Sequence, residues 1–97
     1  MIRSFGSDGT SDLFHGVNSR HTRRIATDIK RTALRKLDMI NAANTVDDLK
    51  SPPGNRLEAL RGDLRGFYSI RVNEQWRIVF KWLDGAAEDV EILDYHR

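Results

Sequence analysis

Across residues 67–82 apolar and polar side chains alternate with a period of two. Tyr68, Ile70 and Val72 fall on one side and Ser69 and Arg71 on the other; Trp76, Ile78, Phe80 and Trp82 then alternate with Arg77, Val79 and Lys81. That period belongs to half-buried strands, and Asn73-Glu74-Gln75 interrupts it where a hairpin turns. The pattern predicts two strands with a core face and a cationic face. Upstream the period changes. Ile25 or Ala26, then Ile29, Ala33, Leu37, Ile40 and Asn44 recur every three or four residues, which predicts a long amphipathic helix over residues 22–44. Its polar side carries Arg24, Asp28, Arg31, Arg35 and Asp38, with Asp28–Arg31 and Arg35–Asp38 spaced for intrahelical ion pairs.

The other elements are shorter. Residues 2–5 alternate briefly and suit an edge strand, and residues 6–11 offer helix caps ahead of Leu13 and Phe14, a turn or two of helix ending at Gly16. Residues 17–22 are polar and aperiodic, which predicts a mobile loop. Residues 45–49 read as a capped turn, and residues 50–55, with Pro52 and Pro53, as a rigid connector. Leu57 and Leu60 point inward from the next stretch, Asp84-Gly85 with Ala86-Ala87 makes a turn, and residues 89–95 form a last strand. The order predicts an α+β fold in one domain spanning residues 1–97, with two N-terminal helices packed on one face of a twisted, mainly antiparallel sheet. The face bearing Arg71, Arg77 and Lys81 is left without helix cover.

Composition narrows the function classes. At 39% hydrophobic and 31% charged the chain reads as an ordinary soluble domain, and no run approaches the roughly 18 apolar residues of a membrane span. The first residues lack the apolar core of a secretory signal, so the expected location is cytoplasmic. The absence of cysteine removes disulfides, thiolate chemistry and cysteine metal sites together. Net charge is only +2, yet residues 1–36 hold eight basic against three acidic side chains, residues 37–83 seven against six, and residues 84–97 one against five. Arginine outnumbers lysine, and its planar fork suits phosphate or carboxylate, which points to an anionic partner.

No phosphate-binding glycine loop, Gly-x-Ser-x-Gly or metal-ligand cluster is present; His15 and His21 lack partners at ligand spacing and read as surface residues. The expectation is a site without metal or cofactor. Cleaving RNA in that way needs a base for the 2′-hydroxyl, an acid for the leaving 5′ oxygen, cations around the phosphate and a platform for a nucleobase. Glu58 or a Tyr or His can exchange protons, Arg61, Arg71 and Arg77 can stabilise developing charge, and Tyr95 can stack. Each also has a structural reading: Arg77 as a cross-strand ion-pair partner, Glu58 as a solvated charge, Tyr95 as strand-end packing, His96 as a solvated terminus, and the helix arginines as a solvated face.

Residues 55–63 (Asn-Arg-Leu-Glu-Ala-Leu-Arg-Gly-Asp), residues 68–80, the Asp94-Tyr95-His96 ending and Ile2-Arg3-Ser4-Phe5 together resemble the HigB branch of the RelE/ParE toxin superfamily. The Ser-Pro-Pro-Gly-Asn-Arg-Leu-Glu segment is most similar to GraT-like toxins, and the resemblance covers nearly the whole chain. It implies the toxin of a type II toxin–antitoxin pair, a ribosome-dependent endoribonuclease that cuts messenger RNA in the A site. It further implies that Arg77 stabilises the scissile phosphate, that Asp94, Tyr95 and His96 form the catalytic C-terminal segment, with His96 moving a proton and Tyr95 stacking a base, and that Arg61 assists at the phosphate. Glu58 stands where some HigB proteins have His and is either a substitute base or a bystander. Arg71, Lys81, Arg31 and Arg35 are the expected RNA-backbone contacts. The implied partners are a helix-turn-helix antitoxin of the HigA/GraA kind, the ribosome with its mRNA, and operator DNA reached through the antitoxin, with the toxin as co-repressor. The competing readings are a ParE-like DNA gyrase inhibitor, which needs no catalytic C-terminal residues, and a non-catalytic RNA- or ribosome-binding protein.

Overall fold

The computed structural model describes residues 1–94. Strand β2 (Phe67–Arg71) pairs with β3 (Trp76–Leu83) in the register the alternation implies, with Tyr68 opposite Phe80 and Ile70 opposite Ile78. β1 (Glu58–Ala59) lies on the free edge of β2, and β4 (Ala86–Asp94) pairs with β3, giving a sheet in the order β1-β2-β3-β4 with every pair antiparallel. Residues 2–5, expected as an edge strand, run along the edge of β4 but form only two isolated parallel bridges, from Ile2 to Ala87 and from Phe5 to Val90.

β4 begins earlier than its pattern announces. Asp84 and Gly85 both take positive φ, 50° and 76°, so the turn needs only two residues and Ala86 already opposes Leu83. Further on, Val79 pairs with Glu91 whereas Lys81 pairs with Glu88, and the extra residue is Asp89 at φ 54°. This bulge lets Ala87, Val90 and Ile92 all reach the core, which breaks the alternation before residue 89.

The helices number three among the described residues. Helix α1 (Asp8–Phe14) starts at Ser7, whose hydroxyl accepts from Thr10 N at 3.2 Å. Residues 17–22 are not wholly loop: α2 (Arg20–Arg23) is one turn closed by a capping box, with Thr22 N donating to Ser19 Oγ at 3.3 Å and Ser19 N to Thr22 Oγ1 at 2.9 Å. The long helix, α3 (Thr27–Ala42), is shorter at both ends than its periodicity predicts, because Ala26 is extended at ψ 131° and Ala43 at ψ 136°. No helix among the described residues is long and apolar enough to cross a membrane.

Ile29, Ala33, Leu37 and Ile40 of α3 pack on Ile70, Ile78, Phe80, Ala87, Val90 and Ile92 of the sheet, and burying each large side chain stabilises the fold by about 1.5–3 kcal/mol. Trp76 and Trp82 pack at the rim of this cluster. The opposite sheet face is cationic, as expected, but it is not bare. Ser69 and Val79 at its centre are 0% and 2% exposed. Longer side chains two residues away on each strand flank them, Phe67 and Arg71 along β2 and Arg77 and Lys81 along β3, and Lys81 Nζ lies 5.1 Å from the Phe67 ring centroid.

Candidate functional site

The β2–β3 register sets Arg71 directly opposite Arg77. Like charges in that relation destabilise a sheet, and an anion between them removes the cost. A third arginine arrives from the connector. The 3₁₀ turn Pro53–Asn55 delivers Arg56 in the left-handed region at φ 47°, and its carbonyl accepts from Arg77 Nη2 at 2.7 Å. Glu58 closes the group, with Oε1 3.0 Å from Arg77 Nη1; the Arg77 side chain is 12% exposed and that of Glu58 59%. Arg56, Arg71 and Arg77, with Asn73 and Glu74 of the hairpin turn, line a cleft of about 420 Å³.

The turn itself is braced. Asn73 Oδ1 accepts from the backbone N–H groups of Gln75 and Trp76 at 2.8 and 2.7 Å, an arrangement that suits Asn at this position. Gln75 Nε2 donates to Asp94 Oδ2 at 3.0 Å, and Asp94 stands opposite Trp76, so the end of β4 is tied beside the cleft. Three pairs along the ladder, opposite Val79, Glu91 packs against Gly6, and burial pushes its carboxyl above the usual carboxylate range.

The sequence-predicted residues separate into groups. Arg77, Arg71, Glu58 and Asp94 come together around the cleft. Lys81 shares the face but sits at its other end, 3.5 Å from Asp89 and over Phe67. Arg61 is exposed at the start of the 3₁₀ turn Gly62–Leu64 and does not line the cleft. Arg31 and Arg35 occupy the exposed side of α3, whose buried side packs on the other sheet face; neither Asp28–Arg31 nor Arg35–Asp38 forms an ion pair. Tyr95 and His96 lie outside the described residues. Arg56, Asn73 and Gln75 are site residues that the pattern alone did not single out. For Arg56 a signal was present: it ends a Pro-Pro-Gly-Asn connector, a rigid mount for the residue that follows.

A family model for the RelE-like toxin of the type II toxin–antitoxin system HigB matches residues 3–96. The chain belongs to that family. It is 45% identical to Toxin HigB-1 of Vibrio cholerae over 89% of this chain and 88% of the relative. It is also 36% identical to Endoribonuclease HigB of Proteus vulgaris over 99% of this chain and 100% of the relative. In fold it is similar to a chain of the YoeB–YefM complex of Staphylococcus aureus, with TM-score 0.62, 16% identity and coverage of 100% and 99%. YafQ of E. coli is similar at TM-score 0.59 and 16% identity, with coverage of 98% and 94%. At these identities the structural likeness is one of fold, RelE-like α+β.

Proposed function

We propose that this toxin is a metal-independent endoribonuclease that cuts mRNA in the ribosomal A site and so blocks translation. The observation that carries the reading is the opposed pair Arg71 and Arg77, joined by Arg56 around one cleft on the helix-free face. Three guanidinium groups around a single concavity fit a phosphodiester whose charge grows as the 2′-oxygen attacks, and such donors act most strongly where water is thinned out. The name of the Proteus vulgaris relative, 36% identical end to end, supports the same reaction. In the cleavage the 2′-oxygen bonds to phosphorus, its proton passes to a base, and the 5′ oxygen leaves with a proton from an acid. Arg77 stabilises the crowded phosphate with Arg56 and Arg71 beside it, and Arg61 meets the RNA from outside the cleft; Glu58, Tyr95 and His96 are the proton-transfer candidates, Tyr95 stacks a base, and Asp94 anchors the segment through Gln75. Arg71, Lys81, Arg31 and Arg35 contact the RNA backbone. The ribosome supplies the positioning that a shallow site lacks.

The toxin acts in the cytoplasm, where a helix-turn-helix antitoxin neutralises it and carries it to operator DNA as co-repressor. Removing one donor from such a site typically costs about 10²–10³ in rate. Arg77→Ala is accordingly expected to lose mRNA cleavage by that order, read by mapping 5′ ends on translating ribosomes, while its melting transition stays cooperative. Cleavage at the wild-type rate would eliminate the assignment, and intact mRNA with poisoned DNA topology under wild-type expression would make the protein a gyrase inhibitor.

A further inference from the structure

Behind the connector that carries Arg56 lies a side chain that does not line the cleft. Lys36 projects from the buried side of α3, 7% exposed, and its Nζ donates to Asn55 Oδ1. An ammonium has only protons to offer, so this contact decides which end of the Asn55 amide faces Lys36. The Nδ2 end donates to the carbonyls of Leu49 at 3.2 Å and Ser51 at 3.4 Å and reaches Met39 Sδ of α3 at 3.9 Å. Asn55 is fully buried, and its backbone N–H donates to Pro52 O at 2.9 Å. The following residue is Arg56, whose φ of 47° is a conformation that a side chain bearing a Cβ adopts only when its surroundings impose it. That conformation presents the Arg56 carbonyl to Arg77 Nη2. Among the described residues Lys36 forms no ion pair with a carboxylate. A buried cation whose partner is a neutral amide is a costly way to fill core volume that a methionine would fill without desolvation.

We propose that Lys36 and Asn55 are positioning residues of the phosphate site: acting through the Arg56 carbonyl, they hold the Arg77 guanidinium in the orientation that meets the substrate. The inference rests on the endoribonuclease reading of the cleft. Lys36→Met keeps an unbranched side chain, one atom shorter, and removes the ammonium donors. Cleavage is compared on translating ribosomes, in single turnover with toxin in excess, for wild type, Lys36→Met, Arg77→Ala and the double variant. Lys36→Met is expected to slow cleavage on the order of tenfold or more, since a displacement of about 1 Å at a reacting group can cost about 10²-fold. In the Arg77→Ala background the same change is expected to matter by less than about twofold, because the group it acts through is gone. A merely structural role slows both backgrounds alike. Equal effects in the two backgrounds, or full activity of Lys36→Met, overturn the proposal.

If Lys36→Met loses its cooperative melting transition, Asn55→Asp replaces it. That variant keeps an acceptor for Lys36, removes the amide's donors to Leu49, Ser51 and Met39, and carries the same expectation of non-additivity. Failure of both variants to fold assigns the pair to stability alone and overturns the proposal. Titration of the free toxins with inorganic phosphate separates this inference from the reading beneath it. Weaker phosphate binding by Lys36→Met than by wild type, alongside a wild-type protein that leaves mRNA intact, supports the positioning role and removes the ribonuclease. Cleavage by wild type with phosphate binding and cleavage both unchanged in Lys36→Met does the reverse.

Discussion

Thr10 and Ser69 are both buried hydroxyl residues, at 1% and 0% exposure, but their surroundings differ. Thr10 Oγ1 accepts from Ile92 N at 3.0 Å and meets Ser7 Oγ at 2.8 Å, so it satisfies an edge N–H of β4 that α1 would otherwise cover. Ser69 Oγ has no hydrogen-bond partner among the described residues. Drying a polar group without a partner costs about 1–3 kcal/mol, and so does depriving a buried N–H of its acceptor. Thr10→Val is therefore expected to lose about 1–3 kcal/mol of stability, whereas Ser69→Ala keeps or gains stability. Guanidinium unfolding of the two variants checks both signs, and a lower midpoint for Ser69→Ala would contradict the burial argument. Position 69 also shows how far the alternation could be read. It placed Ser69 correctly on the face of Arg71 and Arg77 but said nothing of its burial, because cover there comes from flanking side chains on a sheet whose register has to be known first.

Among the elements, the connector between α3 and β1 is set by local capping. In the 3₁₀ turn Val46–Lys50, Asp48 Oδ2 accepts from Asn44 N at 2.8 Å and from Thr45 N at 3.1 Å. Those two backbone hydrogen bonds, Asn44 first and then Thr45, hold the Asp48 carboxyl below the usual carboxylate range. A depressed carboxyl stabilises the fold above its unfolded pKa, and the contribution disappears as pH falls through the lower, folded value. Asp48→Asn is accordingly expected to lower Tm at neutral pH, with the deficit shrinking below the ordinary carboxylate value. A deficit that persists unchanged in strong acid would show that the ionised form is not what matters. The capped turn was legible from Thr45 and Asp48, as were the β2–β3 hairpin and the α3 stripe, all of which rest on short-range periodicity or side-chain-to-backbone bonding. The α2 turn, the early start of β4 and the place of Lys36 were not. A four-residue helix has no period to detect, a bulge erases the alternation that marks a strand, and a buried lysine is recognised only through a partner 19 residues away.

At the scale of the whole molecule the candidate RNA-contacting cations fall on two sides of one sheet. The cleft arginines occupy the helix-free face, and Arg31 and Arg35 lie on the exposed side of α3, beyond the core. The formal net charge of +2 gives little overall attraction to RNA, so each cationic group has to act locally, within the Debye length of about 8 Å at physiological salt. A role for Arg31 and Arg35 on the RNA backbone is therefore separable from the cleft by experiment. Replacing both with Gln is expected to weaken binding to translating ribosomes and to flatten the dependence of log affinity on log salt by about 0.7–0.9 for each phosphate that is no longer neutralised. Binding of inorganic phosphate to the free toxin is expected to stay unchanged in that variant, because the cleft lies across the sheet. Arg71→Gln should instead weaken both, since Arg71 lines the cleft opposite Arg77. A salt slope identical to wild type in the Arg31 and Arg35 double variant would remove these residues from the RNA surface and leave them as the solvated face of α3, with the toxin engaging its substrate from one side only.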